Sequence, residues 1–216
     1  MWSGNELISF TREYMHEEEA DFWTPTKLLA TLNAAQKQIV LKMQRAADKV
    51  FYDYCTIPTV SGTQRYLLPN GTLYTAAKKC TGKIDELFDA NKNRITKGDW
   101  RTFHRATTGS PREMAIVGNY LYLDPIPNAV QNLILWYWYF PTAITATGTE
   151  IDFLEGFEPL IAMKAAITSI VKDEADLSDL RIEYAELWAD FKDTYCGNRI
   201  EGSPDSIPSD IEDPDD

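Results

Sequence analysis

Asn132-Leu133-Ile134-Leu135-Trp136-Tyr137-Trp138-Tyr139-Phe140 is the stretch that decides how the chain is read. Its aromatic and branched side chains favour an extended backbone. A half-buried strand would alternate apolar and polar residues, but here both faces are apolar, so the stretch predicts a strand covered on both sides. The apolar run Leu133 to Phe140 is far too short for a membrane helix, which needs about 20 such residues. A second reading makes Trp136, Tyr137, Trp138 and Tyr139 a platform on which sugar rings could stack. The surrounding Leu133, Ile134, Leu135 and Phe140 read as core, and favour an aromatic core strand.

Upstream, Met114 to Val117 and Tyr120 to Leu123 flank Gly118-Asn119, the pattern of a two-residue hairpin. Thr63 to Leu68 and Lys83 to Phe88 are weaker strand candidates, and prolines are scattered through the region from Pro58 to Pro141. Residues 57–156 therefore read as a β module.

Residues 26–56 and 160–196 contain neither Pro nor Gly, as long helices require. Thr24 is an N-cap candidate with Pro25 in the first turn. Leu28, Leu32, Ala35, Ile39, Met43, Ala46 and Val50 recur every three or four residues. That predicts one helix over 24–56, with Gln36, Lys37, Lys42, Gln44 and Arg45 off its apolar stripe. A second helix runs from Pro159 to about Lys172. A third runs from about Ser178 to Cys196, with Leu177, Leu180, Tyr184, Leu187, Trp188, Phe191 and Tyr195 as its stripe and Gly197 as its stop. Ser3 and Glu6 form a capping-box pattern at the head of a short N-terminal helix within residues 1–23. The expected fold class is α+β. Segments 24–56 and 157–197 close into a helical bundle, a β-sandwich-like module is inserted between them, and an extended arm follows.

That arm is residues 198–216, with seven acidic side chains, three prolines and no Lys or Arg after Arg199. Its composition cannot support a fold of its own, and fully extended it reaches roughly 60 Å. Ile200, Pro204, Ile207, Pro208 and Ile211 are candidate anchors of an arm that orders on a partner.

The formal net charge of -12 argues against a nucleic-acid binder, which needs clustered Lys and Arg on phosphates, and against docking on anionic lipid. Cys55, Cys80 and Cys196 are odd in number and form no CxxC pair, which suits reduced thiols in a cytoplasm. No basic segment leads into an apolar one at the N-terminus, so no signal peptide is expected. Chemistry is sparse. Cys80 and His104 could form a nucleophile pair, but a buried thiol and a surface imidazole explain them more simply. Zinc-type spacings are absent, as are a Walker loop, a GxGxxG and a GxSxG elbow. Glu17, Glu18 and Glu19 read as a solvated face. No catalytic residue, metal or cofactor is expected.

The order of segments resembles a known family. A long N-terminal helix leads to Tyr66-Leu67-Leu68-Pro69, then to a short hairpin and Leu123-Asp124-Pro125-Ile126-Pro127. A strand then ends in Tyr139-Phe140-Pro141, and two helices close the chain. Over roughly 24–196 this is similar to the head-to-tail adaptor proteins of tailed bacteriophages, particularly the helical-bundle-plus-β type of short-tailed phages. One departure is Asn70-Gly71 after Pro69, where such chains more often carry an acidic residue and continue the strand. The resemblance implies a non-enzymatic ring, usually of about twelve copies joined through heterologous contacts, in the virion neck after assembly in the host cytoplasm. It implies a portal protein above as partner of the C-terminal arm and a tail or nozzle protein below. DNA would pass through the lumen without specific binding. The alternatives are another neck or tail component, such as a stopper or nozzle part, and a carbohydrate-binding module built on the aromatic strand.

Overall fold

The computed structural model describes residues 2–17, 23–47, 49–72, 74, 78–103, 107–146, 148, 150–170 and 178–196. The fold is α+β. Two helices lead: α1 (Gly4–Tyr14) and α2 (Pro25–Ala46). Nine strands follow among the described residues: β1 (Tyr52–Pro58), β2 (Arg65–Leu67), β3 (Lys79–Phe88), β4 (Arg94–Lys97), β5 (Thr108–Gly109), β6 (Glu113–Val117), β7 (Tyr120–Asp124), β8 (Ile126–Pro127) and β9 (Asn132–Phe140). Helices α3 (Pro159–Ile170) and α4 (Ser178–Cys196) close the described chain.

The aromatic stretch is β9, held between β1 and β3 by antiparallel ladders. Seven strands form one mixed sheet in the order β1-β9-β3-β4-β6-β7-β2, while β5 and β8 make a separate parallel pair. Strands β1 and β2 are consecutive in the chain yet lie at opposite edges, so the sheet must curl for the short connection between them to span it. Tyr66 secures that connection, its hydroxyl accepting from Val60 N at 2.9 Å and lying 2.9 Å from Thr63 O. Cys55 and Ile57 from one edge share a core with Leu121 and Leu123 near the other, around Leu133, Leu135 and Tyr137 of β9. The β6–β7 hairpin turns on Gly118-Asn119 as expected, with Gly118 at φ +61, the positive value a tight hairpin needs at its first loop position. Asn70-Gly71 also makes a turn: the Asn70 side chain accepts from Thr72 N at 3.0 Å, and Gly71 stands at φ +92.

A second core joins the helices. Helix α3 packs on α1, α2 and α4. Leu32, Ile39 and Met43 of α2 meet Leu160, Ile161 and Ala165 of α3, Trp188 and Phe191 of α4, and Ile144, Ile151 and Phe153 of the segment after β9. Tyr139 packs against both cores.

The helix ends follow local chemistry. Ser3 and Glu6 form the expected capping box, with Ser3 N donating to Glu6 Oε2 at 2.6 Å. Thr24 Oγ1 accepts from Lys27 N at 3.4 Å, with Pro25 in the first turn. Two expectations for α2 need correction. The helix stops at Ala46 instead of running to 56, and Tyr52–Pro58 is the edge strand β1, so the sheet begins before position 57. Lys49 (φ 60) and Phe51 (φ 52) take the left-handed turn that redirects the chain. Val50, assigned to the helical stripe, is buried in that turn. Gln36 and Gln44 lie off the apolar stripe of the sequence and yet are buried. Their amides donate to Thr142 O at 3.3 Å and Tyr139 O at 3.0 Å, and Asn33 exchanges two bonds with Ile144. Helix α2 thus satisfies backbone groups of the chain leaving β9, which burial would otherwise leave costly.

Candidate interaction surfaces

The strand β9 carries the residues singled out for sugar stacking. Tyr137 is fully buried in the sheet core, its hydroxyl 3.0 Å from Lys78 O. Trp138 is buried on the opposite face, where Lys83 Nζ sits 3.8 Å from its ring centroid and Tyr52 abuts it edge-on. Trp136 is half-buried, with Tyr52 stacked at 5.3 Å and Tyr54 at 4.9 Å between centroids. Tyr139 packs on Phe51, and its hydroxyl receives a bond from Lys78 Nζ at 3.1 Å. Lys78 also pairs with Asp152 at 3.0 Å. The aromatic rings therefore cover one another more than they face solvent. Tyr54 is the exception: it projects from β1 and is 54% exposed.

No group of three or more His, Cys, Asp or Glu side chains gathers among the described residues as a metal site would require. Cys55 is buried, and burial pushes its thiol up to about 12. Burial also raises the half-buried Cys80 above its ordinary value. Both thiols are thus poor thiolate nucleophiles near neutral pH. His104, the proposed partner of Cys80, lies outside the described residues, as do Glu18 and Glu19. A cleft of about 710 Å³ opens between α2 and the sheet at Lys37, Lys79 and Phe140; it is broad and holds no opposed acid and base. No helix among the described residues is long and apolar enough to cross a membrane.

Large apolar side chains are exposed at Phe10, Trp100, Tyr120 and Tyr195 and in three further places. Val60 (56% exposed) and Val130 (73%) lie on adjacent loops, laced by Thr59 Oγ1 to Ala129 O at 3.0 Å and Ser61 Oγ to Asn128 O at 3.1 Å. Tyr54 marks the outer face of the β1 edge. Ile182 on α4 and Leu41 on α2 mark outward helix faces. Sequence reasoning missed all three sets, because an exposed branched residue in a loop or on a helix is indistinguishable by type from a core one. The arm anchors Ile200, Pro204, Ile207, Pro208 and Ile211 lie outside the described residues, and so does Gly197.

The molecule thus offers surfaces for assembly more readily than a pocket for chemistry. No curated protein matches the chain. The model of the SU10 adaptor protein family matches residues 4–200, nearly the whole sequence. The protein belongs to the SU10 adaptor protein family and is a structural head-to-tail adaptor of a tailed bacteriophage.

Proposed function

We propose that the protein acts as one subunit of a ring of about twelve copies that sits beneath the portal in the virion neck and joins capsid to tail. The observation that carries this reading is the family match over residues 4–200, which takes in the described body except Trp2 and Ser3. The four helices serve as one bundle and the curled sheet as a sandwich-like module beginning at β1. The chain has no enzymatic role and needs no cofactor. DNA crosses the lumen without sticking, because a ring of subunits each bearing -12 repels phosphate. Residues 198–216 reach the portal, with Ile200, Pro204, Ile207, Pro208 and Ile211 as contacts, while a tail or nozzle protein binds the opposite end. Arms from several subunits add avidity, since each later contact forms at high effective concentration. Assembly occurs in the host cytoplasm.

Deleting 198–216 tests the arm. The truncated chain should keep its circular dichroism spectrum and melting temperature while failing to pull down portal. Undiminished portal binding by that chain would remove the arm from the account. Full-length protein that captures tail components but no portal would favour a stopper or nozzle role. The carbohydrate alternative has little surface to work with, since Trp138 is buried and Trp136 is flanked by two tyrosines.

A further inference from the structure

Helices α2 and α4 each carry, opposite the stripe they bury, a second stripe turned to solvent. On α2 it runs Ala30, Ala34, Lys37, Leu41, Arg45, all exposed, Leu41 at 37%. On α4 it runs Asp179, Ile182, Glu186, Ala189, Asp193, all exposed, Ile182 at 57%. The steps of three and four place each set on one side of its helix. Both stripes mix charged residues with small or branched apolar ones, in strict alternation on α4, and their charges are opposite. Helix α2 contains Lys27, Lys37, Lys42 and Arg45 and no carboxylate. Helix α4 contains Asp179, Glu183, Glu186, Asp190 and Asp193 against Arg181 and Lys192.

Among the described residues no ion pair joins Lys37 or Arg45 of α2 to a carboxylate of α4. The ion pairs found among the described residues, Lys78–Asp152 and Arg94–Glu86, both lie elsewhere. Lys42 is the α2 cation that does reach α4, and it sits on the aromatic side, 3.8 Å above the Trp188 ring. Trp188 and Phe191 are the buried residues of α4 and form its inner face. The outer stripe therefore faces away from the rest of the fold.

We propose that the outer stripe of α2 in one copy of this chain docks on the outer stripe of α4 in the next, a head-to-tail contact that rests on the ring reading above. Ala30 and Ala34 let the α4 backbone come close, and Leu41 and Ile182 leave water together. Lys37 and Arg45 are about 12 Å apart along their axis, and Glu186 and Asp193 about 10 Å along theirs, so both cations can meet carboxylates in one register. Surface ion pairs are individually weak, and repetition around a closed ring makes them sufficient. Because the two stripes differ, the contact is heterologous and adds subunits in one direction.

Charge reversal with mixing tests this. One variant carries Lys37→Glu and Arg45→Glu, so both its stripes are acidic; the other carries Glu186→Lys and Asp193→Lys, so both are basic. In sedimentation velocity at low salt, the wild-type chain should self-associate and each variant alone should stay monomeric. An equimolar mixture of the two should associate again, in alternation. A control with Lys92→Glu and Arg101→Glu, reversing two cations of the β module, should behave as wild type. The proposal is overturned if either variant alone associates like wild type, if the mixture stays monomeric, or if the control loses association equally. It is also overturned if the wild-type chain stays monomeric at low salt across the concentration series. In any of these cases, micrographs of virion necks decide the ring reading separately, since a ring seen there could be held by other surfaces.

Discussion

Cys55 shows how one buried side chain sets the response of the fold to pH. It faces the sheet core beside Ile57, Leu135 and Tyr137. Burial, helped by Cys80 and Asp53, raises it from 9.0 to about 12. In the unfolded chain the thiol ionises near its ordinary value, whereas in the folded chain it stays protonated. Above about pH 9 the unfolded state therefore binds fewer protons, and stability falls as pH rises. The contribution is intact below pH 9 and is lost progressively on the way to about 12. The slope from this group is at most about 1.4 kcal/mol per pH unit. Tyr14 and Tyr74, each also raised to about 12 by burial, add to the loss from pH 10 upward. Urea unfolding at pH 8, 9 and 10 should show the decline in the wild-type chain and a flatter one in Cys55→Ala between pH 9 and 10. Equal slopes in the two proteins would mean that the thiol is not what titrates. The sequence showed that this cysteine was unpaired, but its depth came from the pairing of β1 with β9, which no local pattern announces.

Elements are fixed by where they must touch, and α1 gives a prediction whose sign depends on that. Its first residue, Gly4, lies so close to the 144–145 segment that a Cβ there would collide with the backbone oxygen of Thr145. The approach is secured on both sides, since Ile151 N donates to Trp2 O at 2.9 Å and Ser3 bridges Glu150. Helix propensity alone would have Gly4→Ala stabilise by up to about 1 kcal/mol. The contact dictates the opposite: either α1 lifts or the 144–145 segment moves, and the chain loses roughly 1–3 kcal/mol, as overpacked sites do. Thermal unfolding of Gly4→Ala should show the drop, and a rise in melting temperature would contradict the contact. The capping box announced this helix, but nothing in the sequence announced what Gly4 approaches. The same division recurs through the fold. Gly118-Asn119 fixed its hairpin locally, and Pro159 and the run free of Pro and Gly up to Cys196 gave α3 and α4 close to their observed bounds. The end of α2 was hidden because Val50 continues the helical spacing and is buried in either conformation. Tyr52–Pro58 was extended for a reason distant in sequence, the ladder pairing Tyr52 with Trp138 and Pro58 with Asn132. Gln36 and Gln44 looked like surface residues until the segment leaving β9 supplied their acceptors. Neither outward stripe was legible by residue type, since Leu41 and Ile182 are apolar residues like those of the buried faces.

For the whole molecule, the ruling quantity is charge. The chain carries -12, and half of that excess resides in residues 198–216. Its described part holds ion pairs at Lys78–Asp152 and Arg94–Glu86, the second largely exposed on its arginine side and so of little consequence to stability. Salt therefore removes more repulsion than attraction within one subunit. Raising ionic strength from about 0.01 M to about 0.15 M shortens the screening length from about 30 Å to about 8 Å, and the melting temperature of the monomer should rise. Between subunits the balance reverses: the contact of α2 with α4 joins opposite charges, so the same salt should shift sedimentation toward the monomer. Measured on one preparation, the two effects separate the fold from the assembly. The chain lacking 198–216 sharpens the distinction. Without half the net charge, it should gain less thermal stability from salt than the full chain, while its self-association keeps the same salt dependence because both stripes remain. A truncated chain whose association no longer responds to salt would place the electrostatic contact in the arm instead of the helices.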